Sequence, residues 1–202
     1  MRGVILHAPG DVRVEQREDP RIEQPTDAII RIAATCVCGS DLWPYRGIEA
    51  VGSPAPMGHE YVGVVEEAGR DVHNVRPGQF VIGSFFASDN TCPICRVGYQ
   101  SSCVHRVPMG SIGTQAELAR IPLADGTLIA TPEMPSDDLV PSLVAASDVL
   151  GTGWFGATGA PLAKLVSPSV RCTPASTIQS IGLAVPLAVI MLAPERLMTW
   201  VF

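Results

Sequence analysis

The chain has 202 residues, six of them cysteine, and a formal net charge of −6 with a pI near 5.1. That is long enough to bury a substantial core. The acidic balance leaves no basic stripe to neutralise phosphates, so nucleic acid is excluded as a partner.

The first half alternates short strand signals with turn signals. Val4-Ile-Leu6, Val12 and Val14 alternating with Arg13 and Glu15, and Ala28 to Ile32 read as strands, punctuated by Pro9-Gly10, Asp19-Pro20 and Pro25-Thr-Asp27. Tyr61 to Val65, Phe80 to Ile82, Ala116 to Ile121 and Thr127 to Ala130 continue the pattern, and Arg76-Pro-Gly78 predicts a tight turn. Ser136-Asp-Asp138 ahead of Leu139, Val140, Leu143 and Val144 predicts a helix start. The body is therefore β-rich, with a composition shift near Gly156. No repeat or low-complexity tract interrupts it. Residues 156 to 180 offer no apolar β-run and no G-x-G-x-x-G.

The cysteines Cys36, Cys38, Cys92, Cys95, Cys103 and Cys172 are too few and too clustered for a disulfide-framed secreted module, and their spacing reads as metal binding in a reducing compartment. The first ten residues hold only Val4-Ile-Leu6 as an apolar run, so no signal-peptide core is expected and the cytoplasm is the default. Ile181 to Ala193 is shorter than the roughly 20 residues of a bilayer span and is interrupted by Pro186, which argues against a membrane anchor.

Two constellations carry chemistry. The first is Cys38-Gly-Ser-Asp41, Gly58-His-Glu60 and the distant Asp148. A thiolate, an imidazole and a carboxylate are the ligand types that hold a zinc ion with its fourth position open. The bland alternatives are a packed cysteine and an N-capping aspartate. The second is Asp89-x-x-Cys92-x-x-Cys95-x7-Cys103. Three thiolates and a carboxylate are ligands that zinc accepts; His105 completing the set, or three reduced cysteines without metal, are the alternatives. Cys36 and Cys172 read as plain small side chains.

These segments, together with Ala146-Ser-Asp-Val-Leu-Gly-Thr-Gly-Trp154, resemble the zinc-dependent medium-chain alcohol dehydrogenases over most of residues 1 to 155. The resemblance implies a β-rich α+β fold, with a GroES-like barrel catalytic domain over residues 1 to 155. A truncated, degenerate start of a Rossmann nucleotide-binding domain over 156 to 202 would follow, with Ile181 to Arg196 as its first helix and Gly182 at the last motif glycine. It implies hydride transfer between a small alcohol, polyol or aldehyde and NAD or NADP.

Cys38, His59 and Asp148 would hold the catalytic zinc, and Asp89, Cys92, Cys95 and Cys103 the structural zinc. Of the candidate catalytic residues, Ser40 takes the hydroxyl-relay position, Asp41 orients His59, and Glu60 is an acidic reserve beside the metal. Trp43 stands where some relatives carry a relay histidine; it and Phe85 are expected in an apolar substrate cleft, or else in the core. Thr152 matches a position on the nicotinamide side of the cofactor, or is a turn residue.

With the nucleotide-binding segment degenerate, the choice between NAD and NADP stays open and weak or absent turnover is expected of the chain by itself. A non-catalytic zinc-binding module, partnering a full-length relative, is the alternative. The family suggests a homo-oligomer.

Overall fold

The computed structural model describes residues 1–50, 52, 54–109, 112–159 and 188–190. A small antiparallel sheet has the order β2-β1-β4, from β1 (Arg2–Ala8), β2 (Asp11–Gln16) and β4 (Ala55–Pro56). A larger antiparallel sheet follows the order β7-β3-β5-β6-β8, from β3 (Ala28–Val37), β5 (Tyr61–Ala68), β6 (Phe80–Gly83), β7 (Leu118–Ile121) and β8 (Leu128–Ala130). Short helices α1 (Leu42–Tyr45), α2 (Pro93–Arg96) and α3 (Ala124–Thr127) sit in the connections. Two longer ones, α4 (Val140–Ser147) and α5 (Val149–Gly159), follow β8.

Most strand signals fall on strands. The Arg76 turn closes with the Gln79 amide donating to the Arg76 carbonyl at 3.1 Å, with Pro77 and then Gly78 at φ +88° in its centre, the pattern of a type II turn. Thr127 closes α3 instead of opening a strand: its hydroxyl donates to the carbonyls of Pro122 and Leu123. The helix expected from Ser136 begins at Val140, with Pro141 in its first turn, where a missing N–H costs nothing.

The large sheet has two buried faces. On one, Ala28, Ile30, Ile32, Tyr61, Val65, Val81 and Ile121 form the main core. On the other, Ala34, Cys36, Val62 and Phe80 pack against Val140 and Val144 of α4. Even-numbered residues of β3 therefore serve the first face up to Ile32 and the second from Ala34. The cause is a bulge: Ile32 pairs with Gly63 and Ala34 with Val62, so Ala33 is one extra residue that shifts the alternation. Cys36 thereby faces α4, the helix that leads to Asp148.

One expectation is corrected. Over Ala188–Ile190, within the stretch expected as a nucleotide-domain helix, the chain is a strand, β9, paired antiparallel with Thr35 to Val37 of β3. The β-branched Val189 and Ile190 favour extended backbone, and β3 has an edge free for them beyond the residues that pair with β7. Gly182 and Cys172 lie outside the described residues. α5 continues across residue 155, the expected domain boundary. Among the described residues no helix is long and apolar enough to cross a membrane.

Candidate metal centre

Three chain segments converge beside the α4 face of the sheet. Cys38 follows β3 and caps a single 3-10 turn over Gly39–Asp41, in which the Asp41 carboxylate accepts from the Cys38 amide at 2.9 Å. His59 and Glu60 lead into β5, and Asp148 sits at the break between α4 and α5. Ligand atoms of Cys38, His59, Glu60 and Asp148 all lie within 4.8 Å of one another.

The two nitrogens of His59 have different neighbours. Nδ1 lies 3.5 Å from Asp41 Oδ1. Nε2 faces Ser40 Oγ at 3.4 Å, Asp148 Oδ2 at 3.7 Å and Glu60 Oε1 at 4.0 Å. Burial works against protonation of His59, but hydrogen bonds with Asp148, Asp41 and Cys38 outweigh it, and without metal the imidazole pKa is pushed up to about 12. Asp148 is held from its other side, Oδ1 accepting from the Thr152 hydroxyl at 2.9 Å, one turn into α5.

The donor set fits a divalent cation. A sulfur, an imidazole nitrogen and two carboxylates share one space. Moreover, Glu60 is only 1% exposed and its Oε1, the oxygen nearest His59, is buried with no hydrogen-bond partner. A buried carboxylate oxygen without a hydrogen bond is costly, and the His59 ring reaches this one only to 4.0 Å, which leaves it available to a cation.

Two contributors escaped the sequence reading. Gln115 donates from Nε2 to Asp41 Oδ2 at 3.1 Å and to the Cys36 carbonyl at 3.2 Å, tying the 3-10 turn to the end of β3. Cys36 is no inert filler, since its thiol donates to Glu60 Oε2 at 2.9 Å; burial first and that bond second push the thiol pKa upward. A period-two reading of β3 carried on to Cys38 would have put the two cysteines on one face.

Phe85 lines a cleft of about 640 Å³ that also meets Asp148 and Thr152, together with the polar Ser84, Asn90 and Gln100. Trp43 lies on α1 and is 56% exposed.

The second group is equally compact. Ligand atoms of Asp89, Cys92, Cys95 and Cys103 lie within 4.8 Å of one another, and the three cysteines are buried. Backbone amides of Cys95 and Val104 pull the Cys92 thiol down to about 7, while burial and the Cys92 and Cys103 side chains push that of Cys95 up to about 12. His105 stands outside this group: its Nδ1 is 2.5 Å from Asp89 Oδ2, while Asp89 Oδ1 faces Cys103 Sγ at 3.3 Å. That contact with His105, reinforced by the Thr91 amide, holds the Asp89 carboxyl well below the usual carboxylate range.

The family model for the alcohol dehydrogenase GroES-like domain matches residues 24–133. The chain belongs to this family. This GroES-like domain protein is 41% identical over 164 residues to the medium chain reductase/dehydrogenase ucsI of an Acremonium species, covering 79% of this chain and 55% of that protein. It is 39% identical over 163 residues to the zinc-type alcohol dehydrogenase B of Aspergillus flavus, covering 79% and 37%. Among solved structures, the alcohol dehydrogenase from Thermus sp. ATN1 superposes with a TM-score of 0.71 at 32% identity, covering 79% of this chain and 47% of that one. The GroES-like chain thus spans about half the length of the relatives it matches.

Proposed function

We propose that this chain is the zinc-binding catalytic part of an oxidoreductase that passes a hydride from a small alcohol or polyol to NAD or NADP. The observation that carries the reading is the convergence of Cys38, His59, Glu60 and Asp148, with Oε1 of Glu60 buried and free of any hydrogen bond. Cys38, His59 and Asp148 would hold zinc, with Glu60 as the carboxylate in reserve. Asp89, Cys92, Cys95 and Cys103 would hold a second, structural zinc. When bound, zinc supplies a Lewis acid that lowers the pKa of an alcohol hydroxyl, and the nicotinamide supplies the hydride acceptor.

The chain's own residues do the positioning. Asp41 stands against Nδ1 of His59 and so leaves Nε2 as the nitrogen turned towards Asp148 and Glu60. Thr152 occupies one oxygen of Asp148 and leaves the other on the His59 side. The Ser40 hydroxyl, at the mouth of this arrangement, takes up the proton of the substrate hydroxyl and hands it to solvent. The cleft bounded by Phe85 offers an apolar wall with a polar rim, which suits a small hydroxylated substrate.

Elemental analysis of the purified chain tests the reading. Two zinc ions per chain are expected, with Cys38→Ser losing one and Cys95→Ser losing the other. A chain that holds no metal after mild purification, or a Cys38→Ser variant that keeps both ions, overturns it.

A further inference from the structure

Glu60 is held from both ends, through its carbonyl and through one carboxylate oxygen. Its carbonyl accepts from the Thr35 hydroxyl at 2.6 Å, and its Oε2 accepts from the Cys36 thiol at 2.9 Å. A carboxylate oxygen only accepts, so the thiol proton lies between the two groups. Cys36 is itself 1% exposed and packed in the cluster with Ala34, Val62 and Val144, and the Gln115 amide on its carbonyl holds its backbone. Neither partner can turn without stranding a buried polar group. The other carboxylate oxygen, Oε1, lies 4.0 Å from His59 Nε2.

We propose that Cys36 is a positioning residue of the metal centre: its thiol holds Oε2 of Glu60 and so aims Oε1 at the ion held by Cys38, His59 and Asp148, keeping Glu60 ready as the fourth ligand whenever no substrate oxygen fills that position. This rests on the metal-binding reading above and deepens it. Without the thiol, Oε2 loses the donor that holds it and the carboxylate is free to rotate Oε1 off the ion.

The test is zinc release to a chromogenic chelator from the zinc-loaded 202-residue chain, with Cys38→Ser identifying which ion is at stake. Cys36→Ala and Glu60→Gln each weaken retention of that ion by about 10- to 100-fold, the range for losing a group that orients a ligand. The double variant is no worse than the poorer single one, and Cys36→Ser, which keeps a donor, restores retention. Cobalt-loaded Cys36→Ala shows altered ligand-field absorption that Cys36→Ser does not.

Retention in Cys36→Ala equal to wild type, effects that multiply in the double variant, or a well-folded Cys36→Ser no better than Cys36→Ala each overturn the proposal. If Cys36→Ala does not fold, Cys36→Val, of similar volume and without a donor, makes the same comparison. Should Cys38→Ser retain both ions, the metal-binding reading fails first and this proposal falls with it.

Discussion

Gly58→Ala probes the junction on which the site depends. Gly58 adopts φ +96°, and a Cβ built there would stand 2.5 Å from both the backbone nitrogen and Cγ of Gln115. The left-handed conformation alone costs a non-glycine residue about 1–3 kcal/mol. Forcing the two segments apart adds about 1–3 kcal/mol. The sum, roughly 2–6 kcal/mol, is a large part of the 5–15 kcal/mol that holds a typical domain together. Urea unfolding should show a lower midpoint with an unchanged slope, and the thermal midpoint should fall by on the order of 10 °C. Gln115→Ala, which loses only the amide bonds to Asp41 and Cys36, should cost about 1–3 kcal/mol. In the double variant the clash with Cγ is gone but the clash with the backbone nitrogen and the φ strain persist, so the combined loss should be less than additive. A Gly58→Ala protein within 0.5 kcal/mol of wild type, on the order of an ordinary surface change, would refute the argument.

Four further outcomes are expected. In the metal-free chain the His59 pKa is raised from its ordinary 6.5 to about 12, so its contribution to stability is complete below pH 6.5 and is lost as pH rises towards 12; urea midpoints of wild type should decline over that window relative to His59→Asn. Zinc uptake must expel that proton, so pH-stat titration should register acid release on loading, and none from this site in Cys38→Ser. Stripping metal with a chelator should make the segment around Cys92 to Cys103 the first to be cut by protease, because its buried cluster consists of three cysteines with Ile94 packed against them. Ile30→Ala, at a fully buried position of the main core, should cost about 2–5 kcal/mol in urea unfolding.

Strands announced themselves through alternation and turn chemistry, as at Val12 and Val14 or at the Arg76 turn, because both signals are local. Ligand types were legible for the same reason: Cys38, His59 and Asp148 carry their chemistry wherever they lie. Gln115 was not, since an amide side chain becomes a bridge only when tertiary pairing brings its segment onto Gly58 and Asp41. Cys36 was misjudged because its role depends on the buried carboxylate opposite it, 24 residues away. The strand at Ala188–Ile190 was hidden by a family analogy that weighed position above the β-branched character of Val189 and Ile190.

The extra residue at Ala33 makes an irregularity of pairing part of the specification of the metal centre. Were Ala33 to take a regular place in the ladder, every ligand type, charge and hydrophobic tally would be intact. Yet Ala34 and Cys36 would then fall on the face of Ile30 and Ile32, and the thiol would swing to the interior, away from the helix that delivers Asp148. A site tolerant of many substitutions can thus be intolerant of a one-residue slip between two strands.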